Sequence, residues 1–153
     1  MYSIRPATLE DAGIIATHRQ RMFEDIGGHN QQKLQSMTEN FRPWLESRMA
    51  SGEYLGWLAM ASDGMVAAGL GLWLMDWPPH VLGAGARRGN IVNVYTEPRH
   101  RRRGLARLLM NAALACCRAN CVNVVILHAS KDGQRLYDSM GFKPTNEMRL
   151  VLD

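Results

Sequence analysis

The chain has 153 residues, 46% of them hydrophobic, which is the size of one ordinary domain with enough apolar material for a sizeable core. No apolar run approaches the roughly 18 residues a membrane span requires, and no basic start followed by an apolar stretch marks a signal peptide. The formal net charge of +4 is modest, and the three cysteines, clustered at Cys116, Cys117 and Cys121, are an odd count that excludes a disulfide framework. They lack the second pair a metal site needs, so no metal is expected, and they read as small apolar fillers in a reducing, cytoplasmic setting.

Ser3 to Pro6 predicts a first strand. Thr8 and Asp11 hold the positions of a capping box, with Asp in place of the usual Glu. The helix behind them carries Ala12, Ile15, Ala16, Met22, Phe23 and Ile26 on one side and stops at Gly27-Gly28. Arg19 falls on that stripe, so it either edges the core or faces a cleft. From Asn30 to Ser51 the pattern is helical but interrupted, and Pro43 predicts a new helix after Asn40 or Phe41. Tyr54 to Ser62 and Met65 to Met75 are apolar segments joined by Asp63-Gly64, a strong hairpin signal. Trp77 through Arg88 is a loop rich in Pro and Gly whose position suggests a lid or an acceptor-binding role.

Gly89 to Thr96 reads as a buried strand, closed by Glu97-Pro98. A basic run follows, Arg99-His100-Arg101-Arg102-Arg103, then Gly104 and a helix with apolar residues at Leu105, Leu108, Leu109, Ala112, Cys116 and Ala119. A strand feeding a short Gly-containing loop and a helix N-terminus turns several main-chain N–H groups in one direction, and with the arginines this suits a diphosphate. It matches neither the nucleoside-triphosphate loop nor the three-glycine dinucleotide fingerprint. Val124 to Ala129 predicts a further strand, Lys131 to Met140 a short helix, and Met148 to Leu152 a last strand. The whole reads as a single mixed α/β (α+β) domain over residues 1–153, with a mostly antiparallel central sheet flanked by helices. A nucleic-acid-binding module is the competing explanation for the basic run, but no aromatic residues interleave with it and no helix-turn-helix or zinc-finger spacing accompanies it.

The spacing Arg101-x-x-Gly104-x-Ala106 resembles the acetyl-CoA diphosphate motif of the GNAT superfamily of N-acetyltransferases. Leu136-Tyr137-x-x-x-Gly141-Phe142 is similar to that superfamily's ending, and Ser3 to Asp11 to its opening. The likeness spans nearly the whole chain and is weakest between Gly27 and Glu53. It implies acetyl-CoA as co-substrate, an amine acceptor (small molecule or peptide), no nucleic acid or membrane partner, and a homodimer as a common arrangement.

The resemblance also implies roles. Val94, Tyr95 and Thr96 hold the positions that run beside the pantetheine arm, and the Val94 N–H corresponds to the donor for the thioester oxygen. Arg101, Arg102, Arg103, Gly104, Leu105 and Ala106 correspond to the diphosphate loop. Tyr137 matches the tyrosine that protonates the leaving thiolate, and a phenol with a pKa near 10 is a plausible acid for it. Ser130 stands where the family often has Asn, and Gly133 where a small residue lets the short helix approach the cofactor. No base carries over: Glu24, Asp76 and His128 qualify by location alone, His80 could contact the acceptor, and Asn93 could orient a water. Trp44, Trp57, Trp73 and Trp77 could line a pocket. The rival of a different class is a coenzyme A-binding fold without catalysis.

Overall fold

The computed structural model describes residues 1–153. Five strands, β1 (Tyr2–Pro6), β2 (Tyr54–Ala61), β3 (Val66–Asp76), β4 (Arg87–Thr96) and β5 (Val125–Leu127), form one sheet in the order β1-β2-β3-β4-β5. All neighbours pair antiparallel except β4 and β5, which are parallel. The expected hairpin is there, with Gly64 at φ 84 in the turn between β2 and β3. Four helices cover the faces: α1 (Ala12–Ile26), α2 (Gln31–Ser51), α3 (Leu105–Ala119) and α4 (Gln134–Ser139). No helix is long and apolar enough to cross a membrane.

Strand alternation distributes the core between two faces. Leu70, Leu72, Leu74 and Ile91 pack with Leu105, Leu109, Met110 and Ala113 of α3 in the larger cluster. Trp73 and Val92 pack on the smaller one, where Ala12, Ile15 and Ala16 of α1 meet Phe41 and Leu45 of α2 and Tyr54 of β2. At the entry to α1, the Asp11 carboxylate accepts from the Thr8 N–H at 2.7 Å and from both terminal nitrogens of Arg5 at 2.9 Å. The Arg5 bond holds the Asp11 carboxyl below the usual carboxylate range.

Three expectations are corrected. α2 runs unbroken through Pro43, because Phe41 and Leu45 on either side of it are both buried against α1 and β2 and outweigh the one hydrogen bond that proline forfeits. The buried stripe of α3 is Leu105, Leu109, Met110, Ala113 and Cys117, rotated from the expected one, and Leu108 is half exposed. With apolar residues around most of that helix, periodicity alone does not say which side faces the sheet. No last strand forms: residues 143–153 have no regular structure, and Met148, Leu150, Val151 and Leu152 are all at least 80% exposed. A strand needs a neighbour to pair with, and the edge strand β5 offers only three residues.

Candidate active site

The site lies where the sheet opens. β4 and β5 pair only through Gly89–Ile91 and Val125–Leu127; β4 then runs on to Thr96 while β5 stops. Beyond Ile91, one edge of β4 therefore has no neighbouring strand. A bulge occupies the same stretch. Gly69 faces Tyr95 and Gly71 faces Val92, so β4 carries an extra residue there, and Asn93 takes the left-handed conformation at φ 57.

The bulge changes the direction of the amides that follow it. The Gly89 N–H donates to Val124 on the β5 side, whereas the Glu97 N–H, an even number of residues later, donates to Ala67 on β3. Alternation back from Glu97 aims the N–H groups of Thr96 and Val94 into the opening. An unbroken strand would have pointed them at β3.

Behind this opening is a cavity of about 980 Å³, walled by α1 and α2 on one side, β4 in the middle and residues 127–132 with Tyr137 on the other. Its surface is mostly apolar, with Met22, Phe23, Met37, Phe41, Trp44 and Trp73 among the lining residues. Tyr137 is 7% exposed, and burial raises its hydroxyl above the ordinary phenol value. Gly133 makes room for it, since a β-carbon there would come within 2.6 Å of the Tyr137 ring. Ser130 begins the turn into α4, and its Oγ accepts from the Gly133 N–H at 3.2 Å.

A polar chain crosses the cavity floor. Arg19 Nη1 donates to Asn93 Oδ1 at 2.8 Å, and Asn93 Nδ2 donates to the Tyr54 hydroxyl at 3.0 Å. Burial lowers the Arg19 pKa, and it pushes the Tyr54 hydroxyl up to about 12. The sequence placed Arg19 on the right stripe and left its surroundings open; it now faces the cleft. Tyr54 carried no sequence signal beyond its place in a strand.

At the far end of β4, Gly104 sits at φ 77 as the cap residue of α3, and Arg102 is also left-handed at φ 61. No main-chain N–H from Arg102 to Arg107 donates to a protein acceptor; the first helical bond is from Leu108 to Gly104. The arginine side chains differ in use. Arg101 is committed to Asp25 at 2.7 Å and to the Thr96 carbonyl at 2.9 Å, so it braces the loop against α1. Arg103 donates to the Tyr2 hydroxyl at 3.2 Å, while Arg102 pairs with no group. The Leu105 side chain belongs to the core, leaving only its backbone at the loop.

The structure thus brings Val94, Ser130 and Tyr137 to one cavity and the residues from Arg101 to Ala106 to the turn beyond it. Tyr95 and Thr96 connect the two. Among the base candidates His128 lines the cavity, 3.4 Å from Glu147, whereas Glu24 and Asp76 do not reach it. Trp44 and Trp73 line it; Trp57 and Trp77 do not. The loop from Trp77 to Ala86, including His80, also stands away from the cavity. It closes on itself through reciprocal His80–Gly83 bonds and packs Gly83 against Asn123 and Val124, so the lid reading finds no support.

Residues 16–142 match the family model described as the acetyltransferase (GNAT) family. The chain belongs to the GNAT acetyltransferase family. It is an acyltransferase of the N-acetyltransferase type, from a family that uses acetyl-CoA and amine acceptors. A GCN5-related N-acetyltransferase from Ralstonia eutropha JMP134 is 37% identical, covers 99% of both chains and superposes with a TM-score of 0.94. A predicted acetyltransferase from Clostridium acetobutylicum, crystallised with acetyl-CoA, is 24% identical over 99% of this chain and 96% of that one, with a TM-score of 0.90. Glucosamine-6-phosphate N-acetyltransferase from Arabidopsis thaliana shares the fold at 17% identity and a TM-score of 0.67, covering 100% of this chain and 99% of its own. No curated protein matches this acetyltransferase.

Proposed function

We propose that this acetyltransferase moves an acetyl group from acetyl-CoA to a primary amine by direct attack in a ternary complex, with residues 1–153 acting as one N-acetyltransferase domain. The observation that carries the reading is the row of uncommitted main-chain N–H groups from Arg102 to Arg107, set at the end of the opened edge of β4. Those donors, the positive end of α3 and the charge of Arg102 and Arg103 suit the diphosphate of coenzyme A. Gly104, Leu105 and Ala106 contribute backbone alone, and Arg101 holds the turn in place. The free edge from Val94 through Thr96 takes the pantetheine arm as a missing strand would be taken, with Ser130 and Gly133 on the opposite side.

Acetyl-CoA supplies an acetyl group already activated as a thioester. The Val94 N–H donates to the acyl oxygen as negative charge develops on it. The amine nitrogen bonds to the acyl carbon while the carbon–sulfur bond breaks, and the Tyr137 hydroxyl passes its proton to the departing sulfur. The nitrogen, positively charged once it has attacked, passes its surplus proton through water to the Tyr137 phenolate, which leaves a neutral amide and restores the phenol. Direct attack is favoured because Cys116, Cys117 and Cys121 are all absent from the cavity lining and Cys117 is buried under the sheet, where burial raises its thiol pKa. The reading includes a cytoplasmic enzyme, where three free thiols persist.

Calorimetry with acetyl-CoA and a thiol-release assay across an amine library test this together. Binding heat and amine-dependent thiol release are expected. Absence of heat with folded protein overturns the proposal, heat without transfer to any amine reduces it to a coenzyme A-binding protein, and loss of activity in a still-folded variant lacking all three cysteines overturns direct attack.

A further inference from the structure

We infer that the acceptor is an amine that also carries a carboxylate, and that Arg19 holds that carboxylate beside the bulge of β4. This rests on the acetyl-transfer reading above and narrows its substrate class.

Arg19 is placed as a fixed recognition group. Its guanidinium carbon lies 4.8 Å from the centre of the Phe41 ring and 5.1 Å from that of Phe23, so two aromatic faces hold it on the cavity wall. A guanidinium offers five N–H donors. Only Nη1 is engaged, with Asn93, and Nε is buried with no partner.

The charge is also uncompensated. Arg19 takes part in no ion pair, and the one ionisable group that attracts it is Tyr54, which is un-ionised at neutral pH. Asp25, in the same cavity wall, is taken by Arg101 at 2.7 Å. Asp132 lies across the opening, in the segment after β5. A half-buried cation without a counter-ion is costly unless the ligand brings the anion. A planar fork with free donors on one edge matches a carboxylate, and the other fixed cation of the lining, Lys131, stands beside Asp132 in the segment after β5.

The position suits the chemistry as well. Asn93, which Arg19 touches, is followed directly by Val94, so a carboxylate on Arg19 lies close to the acyl group that Val94 would hold. That favours a short link between carboxylate and amine, as in an α-amino acid. A cation nearby also disfavours the protonated amine and so raises the share of the nucleophilic form. Phe41, Trp44, Trp73 and Met37 supply an apolar enclosure for the remainder of the acceptor.

Leucine, leucinamide and 3-methylbutylamine share an apolar body and an amine but differ at the carboxylate. Thiol release by the full chain with acetyl-CoA should favour leucine by roughly tenfold or more in kcat/KM, and Arg19→Gln should erase that preference while Arg19→Lys keeps part of it. Binding of 4-methylpentanoate, followed by ligand-observed NMR in the presence of acetyl-CoA, reads the same contact without turnover. It should weaken about tenfold or more in Arg19→Gln. Equal rates for the three amines, an equal loss for all three in Arg19→Gln, or no binding of 4-methylpentanoate overturns the inference. Calorimetry with acetyl-CoA keeps the two readings separate: its failure removes the acetyl-transfer reading, whereas heat from acetyl-CoA with indifference to the carboxylate removes only this one.

Discussion

The Asn93 side-chain amide donates to the Tyr54 hydroxyl at 3.0 Å, and both residues are almost fully buried. This bond secures the bulge, because the same Asn93 side chain accepts from Arg19 on its other atom. Tyr54→Phe leaves a buried amide donor unmet and should cost about 1–2 kcal/mol in a urea unfolding experiment. The same change should weaken acceptor use more than acetyl-CoA use, since Asn93, which anchors Arg19, loses its own support while the diphosphate turn is untouched. An unchanged unfolding midpoint would show that the bond is not holding the bulge.

Gly71 exists for Tyr54. A β-carbon at Gly71 would collide with the Tyr54 hydroxyl and ring, which lie directly over that strand residue. Gly71→Ala should destabilise the fold by about 3 kcal/mol or prevent folding. Shortening the opposing ring in Gly71→Ala/Tyr54→Leu should recover part of the loss, a coupling that a double-mutant cycle measures. Additive losses would mean that the two residues do not meet.

The sheet and the turn were legible in the sequence; the features that make the turn a site were not. β-Branched and apolar runs with Asp63-Gly64 between two of them marked the strands, and the glycine after three arginines marked the start of α3. The bulge left no trace, because apolar residues stand on both sides of Asn93 and no clean alternation existed for an inserted residue to shift. Tyr54 over Gly71 is equally silent, being a contact between neighbouring strands set by register. Propensity failed at Pro43, where burial of Phe41 and Leu45 overrode it, and at Met148 to Leu152, where alternation was present without an edge to receive it. Arg19 shows the limit most directly: periodicity put it on the stripe of α1, and only the fold shows that no acid meets it.

Tyr137 is expected to act on the chemical step. Tyr137→Phe keeps the ring over Gly133 and removes only the hydroxyl, so kcat should fall on the order of 10²-fold while acetyl-CoA binding by calorimetry changes little. A loss confined to KM would make the residue a binding element instead.

Gly104 tests the turn. It stands at φ 77 with open space around it, so Gly104→Ala meets no clash and suffers only from the left-handed backbone, at about 1–2 kcal/mol. The strain falls on the loop that offers its amides, and KM for acetyl-CoA should rise about fivefold to tenfold. The acceptor preference should stay as it was. If KM for acetyl-CoA does not move, the diphosphate is held elsewhere.

His18 sets an acid limit on the fold. Its ring is 1% exposed between α1 and β4, 5.2 Å from the Tyr95 ring, and Nε2 has no hydrogen-bond partner. Glu97 at 3.9 Å favours the protonated ring, but burial dominates and pushes the imidazole down to about 4. The unfolded chain takes up this proton near pH 6.5, the folded one only near 4. Between those values the unfolded state binds more protons, so acidification favours unfolding. The contribution is complete above about pH 6.5 and should drain at up to about 1.4 kcal/mol per pH unit as the pH falls toward 4. Unfolding free energy measured across that window should show the slope, and His18→Gln should flatten it while lowering stability at pH 7. The Asp11 carboxylate, held low by Arg5, begins to lose its own contribution only as the pH nears the ordinary carboxylate value, so the upper part of the window reports His18. An identical slope in His18→Gln would assign the acid sensitivity to other groups.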